Sequence, residues 1–225
     1  MRRLIFPVLL GVAGCAVLIW LGTWQIQRLA WKEEILARIE SRIAADPVPL
    51  PDRPTFDAHN YTNVVLSGVP KGDELHVLMS GTAAGTGFRV ISAFVTTNGR
   101  RVLLDQGLLA LDQKTLPSTV GDVDITGNLI WPDDRNSMTP DPDLSENIWF
   151  ARDVPQMADA LGTEEVMVVL RTSSMPDPRL TPLPVDTGNI KNDHLEYAIT
   201  WFLLAIVWAV MSVFLIVRTI RPKDA

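Results

Sequence analysis

The sequence predicts a membrane protein of the α+β class, in which two transmembrane helices anchor a small antiparallel β-barrel or sandwich with one short helix. Residues 4–24 and 197–217 contain no charged side chain, and about 20 apolar residues suffice for a helix to cross a bilayer. Between them the hydrophobic pattern alternates, as in strands that bury one face. The expected division is residues 1–45 (first helix with an amphipathic extension), 46–190 (β-rich domain) and 191–225 (second helix and tail).

The first apolar run is expected to be a retained anchor. A cleaved signal peptide also begins with basic residues before an apolar stretch, and the segment from Val12 to Cys15 resembles a lipoprotein processing site. The chain nevertheless stays apolar beyond Cys15 as far as Trp24, whereas a mature lipoprotein usually turns polar there. This continuation favours an anchor that is not removed.

Basic residues outnumber acidic residues at the outer ends of the two apolar runs. Arg2 and Arg3 precede the first run, and Arg218, Arg221 and Lys223 follow the second. Loops and tails rich in Lys and Arg stay in the cytoplasm. Both termini are therefore expected to be cytoplasmic, with the β domain in a periplasm or an equivalent space.

The first helix is predicted to continue beyond the apolar run. Ile35, Ile39 and Ile43 recur every four residues among charged side chains, as in an amphipathic helix. Asp46 and Pro47 are typical of a helix end, and a proline-rich extended linker follows.

Seven segments of the middle region have the alternating or β-branched pattern of strands. They are residues 61–68, 74–80, 87–97, 100–105, 124–131, 146–152 and 165–171. Asn98-Gly99 is the strongest short signal for a tight hairpin, whereas the glycines near residues 81 and 85–87 are interpreted as turns. Residues 132–145 are rich in proline and aspartate, which predicts an exposed loop.

The short helix is predicted from its start signal. Asp153 is suited to be the N-cap, Gln156 follows three residues later, and Met157, Ala158 and Leu161 have helical spacing.

Composition excludes several function classes. The net charge of −6 disfavours nucleic acid as a partner, and Cys15 as the sole cysteine rules out an intrachain disulfide, a CxxC centre and a zinc finger. The sequence has no GxSxG, HExxH or phosphate-loop motif, so an enzyme is not expected.

His59 lies in a polar linker, which favours a solvated side chain. His76 and Met79 would point to opposite faces of a strand, which argues against a copper site.

The acidic residues of the predicted loop do not fit a calcium site. Asp133, Asp134, Asp141 and Asp143 lack the spacing of a calcium loop, and a solvated acidic loop is expected instead.

The membrane junctions are the regions where functional side chains are expected. On the first helix Trp20, Trp24, Gln27 and Trp31 fall within about 60° of one another, and Arg28 and Lys32 lie one turn apart on the adjoining flank. On the second helix Tyr197 lies beside one stripe of residues. The stripe consists of His194, Ala198, Trp201, Ala205 and Trp208. An aromatic belt at the membrane interface explains the tryptophans. It explains His194 less well, since histidine is costly in lipid and is the commonest metal ligand.

Small residues predict that the two helices pack directly against each other. They are Gly11, Gly14 and Cys15 on the first helix and Ala198, Ala205 and Ala209 on the second. Such residues let membrane helices approach closely.

Two motifs resemble the signatures of the Surfeit locus protein one family, which are assembly factors of cytochrome c oxidase. The first is Leu-Gly-Thr-Trp-Gln-Ile-Gln-Arg-Leu-Ala-Trp-Lys at residues 21–32. The second is Asn-Asp-His-Leu-Glu-Tyr-Ala-Ile-Thr-Trp-Phe at residues 192–202, where the family has roughly Asn-Asn-His-Leu-Gln-Tyr-Ala-x-Thr-Trp-Phe. The middle matches more loosely, because Asp105-Gln106 and Leu108 replace Asn-Arg and an aromatic residue.

The resemblance implies a bacterial inner-membrane chaperone that binds haem a and assists its insertion into oxidase subunit I. His194 would be the iron ligand, and the aromatic and basic residues would contact the porphyrin and its propionates: Trp24, Arg28, Trp31, Lys32, Tyr197 and Trp201. Asp193 or Glu196 is expected to hydrogen-bond the other ring nitrogen. The expected partners are subunit I, haem a synthase and the lipid bilayer.

Two other functions remain open from the sequence. A scaffold that holds subunit I without binding haem would need the same membrane anchors. A copper-delivery factor is disfavoured because Cys15 is the sole cysteine.

Overall fold

A computed structural model describes residues 2–82, 85–114, 121–188 and 190–220. The chain forms two compact units, one of residues 39–186 and the other of residues 1–38 with 187–225. Arg221 and Lys223, which contribute to the expected topology, lie outside the described residues.

The elements follow one another in an order that begins and ends with a long helix. They are α1 (Arg2–Ala44), β1 (Val48–Pro49), α2 (Phe56–His59), β2 (Asn63–Thr82), β3 (Gly85–Thr96), β4 (Arg101–Ala110), β5 (Val123–Ile130), β6 (Ile148–Trp149), α3 (Val154–Leu161), β7 (Met167–Ser173), β8 (Leu180–Thr181) and α4 (His194–Ile220). A 3₁₀ turn at Leu111–Gln113 follows β4. The amphipathic extension of α1 and the exposed loop after β5 are confirmed.

Within the described residues, five strands close into a barrel. The pairings run β2–β3, β3–β4, β4–β7 and β7–β5, and β5 pairs back to β2. The predicted α+β class is thus confirmed, and the sheet is a barrel. One barrel pairing, β4–β7, is parallel, because the chain reaches β7 through α3 and not through a hairpin.

Several strand boundaries differ from the sequence prediction. The return strand predicted over 100–105 extends as β4 to Ala110. The two strands predicted over 61–80 form the single strand β2, with an irregular register between Pro70 and Glu74 where the proline has no N–H to donate. The glycines predicted as turns extend β2 and β3. Of the strand predicted over 146–152, only the two residues of β6 form a strand. The preceding residue, Asn147, has a positive φ of 51°, which lies outside the β region.

The core has two layers, which explains the nearly continuous apolar runs of β4 and β7. Val102 and Leu104 of β4 pack in one cluster with Val168 of β7. Leu103 and Met167 face the other way, into a cluster that α3 completes. Strands covered on both faces lose the alternating pattern. The start of α3 is confirmed, since the Asp153 side chain accepts a hydrogen bond from the Gln156 N–H.

A buried carboxylate lies at the β-bulge of β4. Asp105 has no solvent exposure, and its Oδ2 is 2.5 Å from Arg89 Nε and 3.6 Å from Arg152 Nη1. Burial raises the pKa of Asp105, and the charges of Arg89 and Arg152 oppose that rise. Arg152 also contacts Asp134 at 2.6 Å, so this network ties the loop after β5 to the barrel.

The two long helices pack directly against each other, as the small residues predict. A Cβ at Gly14 would overlap the Trp208 indole, and one at Gly22 would lie 2.8 Å from the Phe202 ring. Trp208 Nε1 donates a hydrogen bond to the Gly11 carbonyl over 3.1 Å. The helices are therefore antiparallel and held at a distance that only glycine permits.

Outside this contact the helices present apolar surface. Leu4–Ala44 and His194–Ile220 are long and apolar enough to cross a membrane, and only 6% of the most apolar window of each is buried. Such surface is typical of a lipid-facing helix and not of a helix inside a soluble core.

We expect paired cysteines to crosslink α1 and α4 where glycine faces the partner helix. Gly11→Cys with Ser212→Cys, made with Cys15→Ala, should form a disulfide, because a Cβ at position 11 would lie 2.9 Å from the Ser212 Cβ, and a local shift of about 1 Å brings the two Cβ atoms to the roughly 3.5–4.5 Å of a disulfide. Val12→Cys with Val213→Cys is the matched control at exposed neighbouring positions. Non-reducing electrophoresis measures the yield, and equal yields for both pairs would contradict the packing.

We also expect Asp105→Asn to destabilise the β unit by about 3–5 kcal/mol, since removing one partner leaves a buried charge uncompensated. Asp141→Asn, which breaks an exposed pair with Arg135, should cost less than about 1 kcal/mol. Denaturant unfolding of the detergent-solubilised chain, followed by near-ultraviolet circular dichroism, gives both values. Similar costs would show that the Asp105 network is not structural.

Candidate functional site

His194 is held by a side chain of the facing helix. Its Nδ1 is 2.8 Å from Oε1 of Gln25, which is 9% exposed, and the histidine itself is half-buried. Both residues belong to the helix unit. The first residue of α4 is thereby fixed to the middle of α1.

The periodicity of the helices explains this contact. His194, Ala198 and Ala205 share one stripe of α4, and Ala198 and Ala205 are buried. Gly22 and Gln25, three residues apart, share one stripe of α1. Because the two stripes face each other in antiparallel helices, the histidine meets the glutamine one turn beyond the last glycine contact.

Gln25 is a site residue that the sequence interpretation missed. The expectation that Asp193 or Glu196 would bond the other ring nitrogen is wrong, because Nδ1 is bonded to Gln25. Those two acids flank His194 in sequence and do not share its stripe. The sequence feature that could have identified Gln25 is its position on the same helix face as Gly11 and Gly22.

The tryptophans of α1 lie on the other side of that helix. Trp24 and Trp31 are 47% and 46% exposed, and their stripe is on the order of 140° from the glycine stripe at 3.6 residues per turn. The Arg28 guanidinium lies 3.7 Å from the centre of the Trp31 ring, a cation–π contact. Trp24 and Trp31 therefore lie away from the glycine stripe that meets α4, and the Arg28 guanidinium is stacked on Trp31.

The remaining candidates lie with the histidine. Trp201 is half-buried on the stripe of His194, and Tyr197 is exposed beside it. Lys32 Nζ donates to the backbone carbonyl of Lys191, just before α4 begins. Trp201 and Tyr197 thus lie on or beside the α4 stripe that begins at His194, and Lys32 contacts the chain three residues before His194.

The chain is similar to a described family over most of its length. A model of the SURF1 family matches residues 12–206, a range that includes both Gln25 and His194. None of the relatives' names describes an enzymatic activity.

Three relatives illustrate the similarity. Surfeit locus protein 1 of Rattus norvegicus is 28% identical over 212 residues, which cover 81% of this chain and 66% of the rat protein. Surfeit locus protein 1 of Homo sapiens is 29% identical over 210 residues, with 81% and 68% covered. The SURF1-like protein of Monosiga brevicollis is 28% identical over 214 residues, with 87% and 82% covered. The chain spans about two thirds of the length of the rat and human relatives.

The other two histidines have structural contacts. His76 is buried, with Nε2 3.4 Å from Glu74 Oε2 and Nδ1 3.5 Å from Asn147 Nδ2. His59 Nδ1 accepts a hydrogen bond from the Thr55 N–H. Among the described residues, no three His, Cys, Asp or Glu side chains are grouped as a metal site requires.

Glu74 is the centre of a buried ionic network in the β unit. Arg179 contacts Glu74 at 2.7 Å and Asp177 at 2.8 Å. Burial favours the neutral acid, but hydrogen bonds from His76 and Arg179 prevail and lower the pKa of Glu74 below its ordinary value of 4.5.

We expect this network to make the β unit sensitive to acid. Because the pKa of Glu74 is lower in the folded chain, its contribution is complete above pH 4.5 and is lost as the pH falls through the folded-state value. The wild type should therefore lose more unfolding free energy between about pH 5 and pH 3 than Glu74→Gln. Glu165→Gln, at an exposed position, is the matched control. Denaturant titrations at several pH values measure the slopes, and identical slopes in wild type and Glu74→Gln would contradict the role of Glu74.

Proposed function

Because the chain belongs to the SURF1 family, we propose that it is a membrane-anchored assembly factor of cytochrome c oxidase that binds haem a and assists its insertion into subunit I. The observation that supports this most is the placement of His194. Its imidazole is half-buried at one end of an apolar helix pair and is oriented by Gln25. An oriented imidazole is a usual axial ligand of haem iron.

In this proposal the residues near His194 hold the cargo. Trp201 and Tyr197 supply aromatic surface for the porphyrin, and Lys32 supplies a positive charge for a propionate. The imidazole at the end of the apolar segment allows an apolar plate to lie along the helices while its anionic edge stays near water.

Trp24, Arg28 and Trp31 have a different role here. Their exposed stripe on the far side of α1 is typical of an interfacial anchor, in which indole rings and a basic side chain lie at the head-group level. The stacking of Arg28 on Trp31 supports this, since it leaves the guanidinium on that face. Aromatic contact with the porphyrin ring is therefore assigned to the α4 residues, and contact with a propionate to Lys32.

The proposed location is the inner membrane of a bacterium, with both termini cytoplasmic and the β unit periplasmic. An apolar cargo such as haem a needs a membrane route from the enzyme that makes it to the protein that uses it. Haem a synthase is accordingly the proposed donor and subunit I the acceptor, and the chain itself carries the cargo without changing it.

We expect His194→Ala to abolish haem a binding or to change its spectrum, because the iron loses its protein ligand. His59→Ala, outside the helix unit, is the control that should bind like the wild type. Haem a titration of the detergent-purified full chain, followed by visible absorption, measures both.

Two outcomes would contradict the proposal. A wild-type spectrum and affinity in His194→Ala would remove the histidine as a ligand. A wild-type chain that binds no haem a but co-purifies with subunit I would replace the chaperone with a scaffold.

A further inference from the structure

We propose that Gln25 is a positioning residue that sets the tautomer of His194, so that Nδ1 carries the proton and Nε2 is left to bind iron. This inference rests on the proposed function for its ligand. The orientation of the imidazole itself is a property of the cargo-free chain and can be measured without haem.

The geometry assigns the proton. Gln25 Oε1 lies 2.8 Å from His194 Nδ1, and an amide oxygen only accepts hydrogen bonds. Nδ1 must therefore carry the hydrogen. Since a neutral imidazole has a single N–H, Nε2 retains its lone pair, which is the state that a metal requires.

The surroundings make this bond stronger than a similar bond at the surface. Gln25 is buried in an otherwise apolar contact, where an amide without a partner is costly. Ala198, one turn along α4 from His194, is 1% exposed, so the stripe that begins at His194 is covered next to it. The hydrogen bond holds the imidazole on the side of Gln25.

The sequence offers a closely matched set of variants. Gln25→Met keeps the length of the side chain but removes the acceptor, whereas Gln25→Glu keeps an oxygen acceptor at the same place. Gln27→Met makes the same change two residues away, at an exposed position. An effect of losing the His194 partner is thus separable from an effect of adding methionine to α1.

The first measurement is the ¹⁵N spectrum of histidine-labelled, haem-free full chain in detergent, with His194→Ala used to assign the resonances. At a pH high enough to keep an imidazole neutral beside a carboxylate, we expect an unprotonated Nε2 for His194 in the wild type, in Gln25→Glu and in Gln27→Met. Gln25→Met should shift the ring toward the Nε2–H tautomer that free histidine prefers in water. A protonated Nε2 in the wild type, as an inverted Gln25 amide would produce, or an unchanged Gln25→Met spectrum would overturn the inference.

The second measurement is haem a affinity. Loss of a partner that orients a metal-binding histidine typically weakens metal affinity by about 10–100-fold, and we expect this for Gln25→Met, with Gln25→Glu and Gln27→Met close to wild type. Wild-type affinity in Gln25→Met, while His194→Ala loses haem, would overturn the role of Gln25 and leave the proposed function intact. A wild type that binds no haem a would overturn the proposed function and the iron-binding role of Nε2, whereas the effect of Gln25 on the His194 tautomer is decided by the ¹⁵N spectrum alone.

Discussion

The close contact between α1 and α4 at glycine determines where the polar side chains of the helix unit lie. Gly14 and Gly22 have no space for a Cβ beside Trp208 and Phe202, so the helices are held in one register. That register brings the first residue of α4 opposite the turn of α1 that follows Gly22. His194 and Gln25 meet there because the glycine contacts leave their helices no other alignment. A bulkier residue at either glycine would therefore disturb the imidazole as well as the packing.

The β unit depends on a different constraint, which is the burial of charge. Two polar side chains of β4, Asp105 and Gln106, are buried in the β unit. Asp105 is buried against Arg89 and Arg152, and Gln106 donates to Ser92 Oγ over 2.8 Å within the barrel. Both residues have structural partners, so they contribute to the way in which the barrel is held together. Neither belongs to the helix unit, where the proposed chemistry lies.

Local signals in the sequence were sufficient for the parts of the fold that are stabilised locally. The hairpin at Asn98-Gly99 forms because Gly99 adopts a positive φ of 83°, and α3 begins where Asp153 caps it. Long-range pairings were not predictable in this way. Neither the closure of β5 on β2 nor the parallel pairing of β4 with β7 has a local signature, since each depends on segments far apart in the chain. The two strands predicted over 61–68 and 74–80 are one strand, since a register irregularity between Pro70 and Glu74 accommodates the segment between them.

Local sequence patterns also predict the candidate site only in part. Helical periodicity identifies which residues share a face, but it does not identify the face that meets another helix. Trp24 and Trp31 form the more conspicuous stripe of α1, and they are exposed, because large aromatic side chains prevent the close approach that glycine allows. The small residues mark the packed face instead. A polar residue on that face needs a hydrogen-bond partner, since burying an amide without one is unfavourable. By this argument Gln25 was the functional candidate on α1 even before the contact with His194 was known.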